Sequence, residues 1–452
     1  MRFAQLRPTS TELREMLRLA APIVAVNVGM MFMGVVDSLM LGRVSGAALA
    51  AGVLGNFIFY LCASFGLGFL LAIDPVVAQA IGAGDAREAA LGVQRGVVLA
   101  IATSIVMAIL LWPAPKVLTL LGQPADVAPD AGAFVRWSIP GVFPFFLFAL
   151  SRQALQAHGS VAPVLWAAVV GNVVNVLANL VLVFGMFGVP ALGVVGSAIS
   201  TTIARWVMLG AILLFARQRL RRLVRPWFPE ALAWAPLRGL AALGAPIGLQ
   251  FFAEVNAFGL VTIMMGWVGT NALAGHEIAL NLASLTFMVP LGVAAAGTVM
   301  VGRAIGRGDP AAARRYAVAA LVVGIGFMSI TAVAFLVVPG LFARGYTTDG
   351  GVITVAVALI PIAGIFQVFD GMQVCATGVL RGAGDTRVPM AIHMASFWLV
   401  GLPLGSWLCF GLDGGPAALW WGLTAGLAAA GLFQLARVRS RFGGPLERLR
   451  LS

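Results

Sequence analysis

Apolar stretches of about 20 residues, long enough to cross a bilayer as helices, divide the chain almost from end to end. They fall at approximately 17–41, 52–81, 92–113, 132–151, 163–187, 194–216, 238–266, 273–304, 315–342, 352–380, 388–410 and 416–436. The loops between them are short and leave no room for a water-soluble domain. Composition agrees: 60% of the 452 residues are apolar and 10% charged, against roughly 25% charged residues in ordinary soluble domains. The expected fold is an all-α membrane protein with twelve transmembrane helices.

A formal net charge of +12 would raise the question of nucleic acid as partner in a soluble protein. Its distribution points to the lipid bilayer instead. With the N terminus in the cytoplasm, 24 of the 29 Lys and Arg residues, from Arg2 and Arg7 to Arg448 and Arg450, fall on the inner side. Arg43, Lys116, Arg136 and Arg344 fall on the other, and Arg205 lies within the sixth stretch. This inward bias places both termini in the cytoplasm and excludes nucleic acid as the reason for the charge. The basic run Arg217–Arg225 reads as a topology anchor meeting anionic lipid. The first stretch is too long for the apolar region of a signal peptide and lacks a cleavage context, so it reads as a retained helix. Cys62, Cys375 and Cys409 sit in apolar segments without metal-type spacing and read as small packing residues.

The second half repeats the first at a constant offset of 224 residues over its first two spans. Pro22 matches Pro246, Gly42 matches Gly266, Ala48–Ala50 matches Ala272–Ala274, and Gly68 matches Gly292. The loop after the second span reads A-I-G-A-G-D at Ala80–Asp85 and A-I-G-R-G-D at Ala304–Asp309. With a small slip, Leu155, Gly159 and Pro163 then match Leu380, Gly384 and Pro389. Six helices per copy is an even number, so both copies start on the same side and form parallel repeats. Transporters built this way bind cargo near the repeat interface and alternate access by rocking the halves. The expected domains are six-helix bundles at 1–216 and 238–436, a basic linker at 217–237 broken by Pro226, Pro229 and Pro236, and a cytoplasmic tail at 437–452. The two glycine-rich loops lack the Lys and Ser or Thr of a phosphate cradle; they read as tight turns, with Asp85 and Asp309 as helix N-caps.

An ionised side chain at mid-membrane costs about 2.5–3.5 kcal/mol, so a retained one is a functional candidate. Five acids qualify: Asp37, Asp74, Glu254, Glu277 and Asp370. Asp37 shares a helix face with Gly34 and Met30 in the outer half of the first span. Glu254 follows Gln250 by about one turn, and no basic residue occurs between Arg238 and Arg303. Asp370 follows Gln367, with Arg381 the nearest Arg. Acids so placed can exchange a proton for a cation, which is the chemistry of an antiporter. Asn172, Asn175 and Asn179 form one polar face of the fifth span and are read as a cavity wall that hydrogen-bonds Asp37. Glu277, Asn281 and Ser284 form a second stripe, read as lining the C-terminal half or as interhelical hydrogen bonding. Asp74, just before Pro75, is assigned a structural role. His158 and His393 are lone and read as packing histidines. His276 and Glu277 are adjacent, face different ways, and make no two-ligand metal site.

The motifs V-D-S-L-M-L-G at Val36–Gly42, V-A-Q-A-I-G-A-G at Val77–Gly84, A-G-H-E-I-A-L-N-L-A at Ala274–Ala283, M-V-P-L-G at Met288–Gly292, V-G-R-A-I-G-R-G-D at Val301–Asp309 and L-R-G-A-G-D-T at Leu380–Thr386 resemble those of the multidrug and toxic compound extrusion (MATE) family, in particular its NorM-like branch. The resemblance spans both halves. It implies a multi-pass protein of the bacterial inner membrane that exports small organic cations by antiport with H+ or Na+, most simply as a monomer. It implies coupling roles for Asp37, Glu254 and Asp370, with Glu254 and Asp370 as the positions for Na+, and no cofactor beyond the coupling ion. Asn172, Asn175, Asn179, Gln250, Glu277, Asn281 and Gln367 are the expected cavity-lining residues. Two departures stand out: Glu277 where many members have Gln, and Phe366 where some sodium-coupled members have Tyr one turn before the acid.

Alternatives weighed on the residues are a major-facilitator-type transporter, a lipid or oligosaccharide flippase, and an intramembrane enzyme such as a prenyltransferase. The loop after the second span lacks the mixed acidic and basic cluster of the first. A flippase cavity calls for many cations, and only Arg205 lies deep in a span. The five acids sit on five helices without the clustered Asp motif that a diphosphate enzyme needs, so no enzyme is expected.

Overall fold

The computed structural model describes residues 7–120, 124 and 126–449; Arg2 and Arg450 of the basic set lie outside the described residues. Among these, twelve helices are long and apolar enough to cross a membrane. They are α1 (Ser10–Val44), α2 (Gly46–Gly82), α3 (Ala86–Leu111), α4 (Ala128–Ala157), α5 (Ala162–Phe184), α6 (Gly193–Phe215), α7 (Trp234–Val268), α8 (Thr270–Gly306), α9 (Pro310–Val337), α10 (Gly350–Gly382), α11 (Arg387–Gly411) and α12 (Gly415–Gly443). Each corresponds in order to one apolar stretch of the sequence.

Local chemistry sets the helix ends. Thr9 and Glu12 bond each other's backbone N–H at the start of α1, at 2.8 and 3.2 Å, a reciprocal cap that satisfies two otherwise orphaned donors. The duplicated glycine-rich loops fold alike. Asp85 accepts from the Glu88 N–H at 2.9 Å and Asp309 from the Ala312 N–H at 2.8 Å, so both aspartates are N-caps. Gly84 and Gly308, with φ of 73° and 71°, turn the chain through the left-handed region where a Cβ would be strained. Gly159 and Gly384, the later repeat pair, do the same at 68° and 77°.

The chain forms two compact units. One contains residues 25–81 and 85–248; the other contains the described residues up to 24, 82–84 and 249–449. The boundaries at 24/25 and 248/249 lie 224 residues apart and two residues beyond Pro22 and Pro246, which sit inside α1 and α7. Each unit thus takes most of one repeat and the first part of the opening helix of the other.

Within the first unit α4 packs against α2, α3 and α6, and α5 pairs with α6. In the second unit α10, the repeat counterpart of α4, packs against α8, α9 and α12. Small residues permit the approach. A Cβ on Gly378 of α10 would stand 2.5 Å from the Ala294 carbonyl of α8, and one on Gly422 of α12 would stand 2.3 Å from Gly405 Cα of α11. The core of the second unit gathers Met265, Leu359, Phe366, Phe397 and Trp420; that of the first gathers Leu41, Ala51, Leu118, Phe134 and Ala198. Helix α11 is widened into π turns at Ala395–Gly401 and Trp407–Gly411, a rare geometry that is frequent at functional sites.

Candidate functional site

Two acid sites occupy the spans, one in each unit. In the first, Asp37 on α1 receives three side-chain hydrogen bonds. Asn175 Nδ2 and Asn179 Nδ2 of α5 donate to Oδ1 at 3.1 and 2.6 Å, and Thr201 Oγ1 of α6 donates to Oδ2 at 2.8 Å. The four-residue spacing of the two asparagines stacks them on one face of α5, and both are fully buried. Asn172, one turn earlier, does not reach the acid; its amide donates to the carbonyls of Gly29 and Ala168 at 3.0 and 2.9 Å. It ties α5 to α1 instead of lining the acid.

The Asp37 carboxylate opens on a pocket whose apolar walls include Met30, Met33, Tyr60, Phe145, Phe148 and Met208. Thioethers and rings make an adaptable surface for flat or irregular apolar ligands. Arg205 also lines it, with its guanidinium stacked 3.9 Å from the Phe59 ring centroid and 5.3 Å from that of Phe145. Arg205 is an electrostatic neighbour of Asp37 and Tyr60, yet among the described residues no Lys or Arg stands within ion-pairing distance of Asp37. Arg43 is not its partner.

The second site brings together Glu254 of α7 and Asp370 of α10, which are electrostatic neighbours. Neither carboxylate accepts a hydrogen bond from a side chain among the described residues, and neither is ion-paired to Lys or Arg. His393 of α11, with no exposed surface, points Nε2 at Glu254 Oε2 from 3.6 Å. This is too long for a hydrogen bond. Its ring stacks on Phe397 with centroids 4.6 Å apart, and its Nδ1 lies 3.2 Å from Gln373 Nε2.

The other expected lining residues disperse. Gln367 is buried and accepts from Thr286 and Thr331, with its amide nitrogen unpartnered. Gln250 is buried on α7. Glu277 is half-buried, and Asn281 is exposed and bonds back to the Glu277 carbonyl at 2.8 Å, so its amide caps its own helix turn. His276 is a satisfied core residue: Trp420 Nε1 lies 3.2 Å from Nδ1 and Thr262 Oγ1 lies 3.0 Å from Nε2. Asp74 is buried near Arg152, its electrostatic neighbour in α4. No group of three or more His, Cys, Asp or Glu suited to a metal occurs among the described residues.

Sequence reasoning missed Thr201 and underrated His393. Ser197, Thr201 and Arg205 recur at four-residue spacing on α6, a polar stripe that would have pointed to Thr201. Gln367, Asp370, Gln373 and Thr377 recur at three and four residues on α10, and Gln373 of this stripe meets His393. His393 does pack, buried and stacked on Phe397, but it is not lone: no acid is near it in sequence, and the two helices must pack before Glu254 meets it.

Comparison with known proteins places these features in context. The MatE family model matches residues 22–181 and 246–407, two blocks that begin at Pro22 and Pro246. The chain is 35% identical over 449 residues to a probable multidrug resistance protein NorM of Mesorhizobium japonicum, covering 96% of each. It is 37% identical to a probable NorM of Pseudomonas putida, covering 93% of each, and 32% identical to the multidrug resistance protein MdtK of Edwardsiella ictaluri, covering 95% of each. Among solved structures, the eukaryotic MATE transporter AtDTX14 superposes with a TM-score of 0.85 at 21% identity, over 96% of this chain and 99% of that one. An outward-facing multidrug resistance MATE family transporter superposes at 0.88 with 16% identity, over 97% of both.

Proposed function

Because this chain belongs to the MatE family, and so is a multi-pass multidrug efflux transporter and not an enzyme, we propose that it exports organic cations by antiport against protons or sodium ions. The observation that carries the reading is that Asp37, Glu254 and Asp370 lie within membrane spans with no Lys or Arg in ion-pairing distance among the described residues. An ionised acid in hydrocarbon costs about 2.5–3.5 kcal/mol, and a visiting cation or proton offsets that cost.

Asp37 is set for this task. A carboxylate offers about four lone-pair positions. Two hydrogen bonds reach Oδ1 and one reaches Oδ2, so Oδ2 keeps one position for a cargo ammonium or a proton. The three neutral donors fix its orientation without cancelling its charge. Met30, Met33, Phe145 and Phe148 then cover the apolar body of the cargo. Competition for the same oxygen releases the cargo when a coupling ion arrives from outside. Each inward elementary charge contributes about 2.3 kcal/mol per 100 mV of membrane potential, so one or two ions suffice for concentrative export. The site in this reading is a monomer's, in the bacterial inner membrane with both termini in the cytoplasm, and the coupling ion is the one added component.

The test is ethidium efflux in everted vesicles energised with pH and sodium gradients together. Asp37→Asn, Glu254→Gln and Asp370→Asn each lower efflux by about hundredfold or more, the scale set by losing an ionised partner in a low-dielectric site. If all three variants export ethidium like the parent, the carboxylate mechanism is wrong.

A further inference from the structure

Beside Glu254 stands a buried hydrogen-bond donor with nothing to donate to, and its protonation pattern can be deduced from one fixed point. The Pro389 carbonyl can only accept, so Gln434 turns its amide nitrogen toward it, at 3.4 Å, and its oxygen toward Thr377. The single Thr377 hydroxyl hydrogen goes to Gln434 Oε1 or the Gln373 carbonyl, both acceptors. The Thr377 oxygen is left to accept from Gln373 Nε2 at 3.3 Å. The other hydrogen of that amide meets His393 Nδ1 at 3.2 Å. An amide nitrogen only donates, so Nδ1 carries the lone pair and Nε2 carries the hydrogen. That Nε2–H is fully buried, lacks a hydrogen-bond partner, and faces Glu254 Oε2 at 3.6 Å.

We propose that His393 makes the Glu254–Asp370 pocket a proton site and not a sodium site, by standing as a neutral hydrogen-bond donor in front of Glu254. The inference rests on the antiport reading and names the coupling ion that reading leaves open. A hard cation needs several oxygen ligands, and the His393 ring that faces Glu254 offers none. The imidazole presents N–H and no lone pair toward Glu254. Phe366, one turn before Asp370, meets Phe258, one turn after Glu254, with centroids 6.1 Å apart, and Phe258 also meets Phe397, on which His393 is stacked. The titratable groups of the pocket are Glu254 from α7, Asp370 and Cys375 from α10 and His393 from α11, while α12 contributes the uncharged Gln434. The Cys375 thiol points to the Pro290 carbonyl at 3.8 Å. A proton needs one lone pair of one acid, and its arrival removes the repulsion between Glu254 and Asp370. The Nε2–H faces Glu254 whether or not that acid holds the proton.

The test uses the purified full chain in liposomes, with ethidium as cargo and pH and sodium gradients imposed separately. Two variants separate the ring nitrogens. His393→Gln places an amide N–H near the position of Nε2, whereas His393→Asn offers its amide oxygen near Nδ1, where Gln373 donates, and leaves Glu254 unfaced. A pH gradient drives ethidium transport by the parent, and a sodium gradient at equal pH does not. His393→Gln keeps the proton-driven rate and pH profile; His393→Asn lowers that rate about tenfold, the scale of one hydrogen bond to a charged group, and shifts the profile. Transport driven by sodium alone in the parent overturns the inference while leaving antiport standing, as does an unchanged rate and profile in His393→Asn. Failure of both gradients to drive the parent removes the antiport reading, and this inference with it.

Discussion

Asp37 in the first unit is held by three neutral side-chain donors, whereas in the second Glu254 and Asp370 are electrostatic neighbours and Glu254 faces an imidazole beyond bonding distance. The helical frame around them is duplicated down to its glycine turns, but the acids are not. At the offset of 224, Asp37 corresponds to Val261, a buried core residue, and Glu254 corresponds to Met30. At the later offset of 225, Asp370 corresponds to Phe145. Met30 and Phe145 both line the cavity at Asp37. The repeats thus share a scaffold, and the acids of each half stand where the other half has an apolar residue. A hydrogen-bonded carboxylate is oriented and can present one chosen lone pair to cargo. The second pair lacks such side-chain donors among the described residues.

Three sets of substitutions sharpen this contrast. The largest effect is expected from stripping the donors of Asp37. Hydrogen bonds to charged groups contribute about 1.5–3 kcal/mol each, so Asn179→Ala and Thr201→Val lower ethidium efflux by about tenfold to hundredfold in vesicles. If either leaves efflux unchanged, orientation of Asp37 does not matter and the two sites differ less than their geometry says. A smaller effect follows from Asn172→Ala, since that side chain bonds only to carbonyls of α1 and α5. It lowers stability by about 1 kcal/mol in a detergent melt and changes efflux less than the two donor variants do; a loss equal to theirs would place Asn172 in the site after all. The smallest contrast is the absence of one. Asp85→Ala and Asp309→Ala, which remove repeat-equivalent caps, each cost about 1 kcal/mol, and clearly unequal melting shifts would show that the scaffold is not symmetric where its sequence is.

Much of the molecule was legible in the chain itself. The number of spans follows from hydrophobic length, a property of each segment alone. The caps at Asp85 and Asp309 and the turns at Gly84 and Gly308 follow from backbone chemistry within four residues, and a repeated sequence repeats them. The acids could be picked out because an ionised group in hydrocarbon is costly wherever the helix points.

Beyond the asparagine face that meets Asp37, the interhelical partners stayed hidden. Thr201 meets Asp37 across 164 residues, and His393 and Glu254, on α11 and α7, meet only in the packed unit. Which neighbour a side chain meets depends on how each helix is rotated and how closely small residues such as Gly405 and Gly422 let the backbones approach. A helical period says which residues share a face. Only packing decides what that face touches, and so which acid is hydrogen-bonded and which is left facing an unpartnered donor.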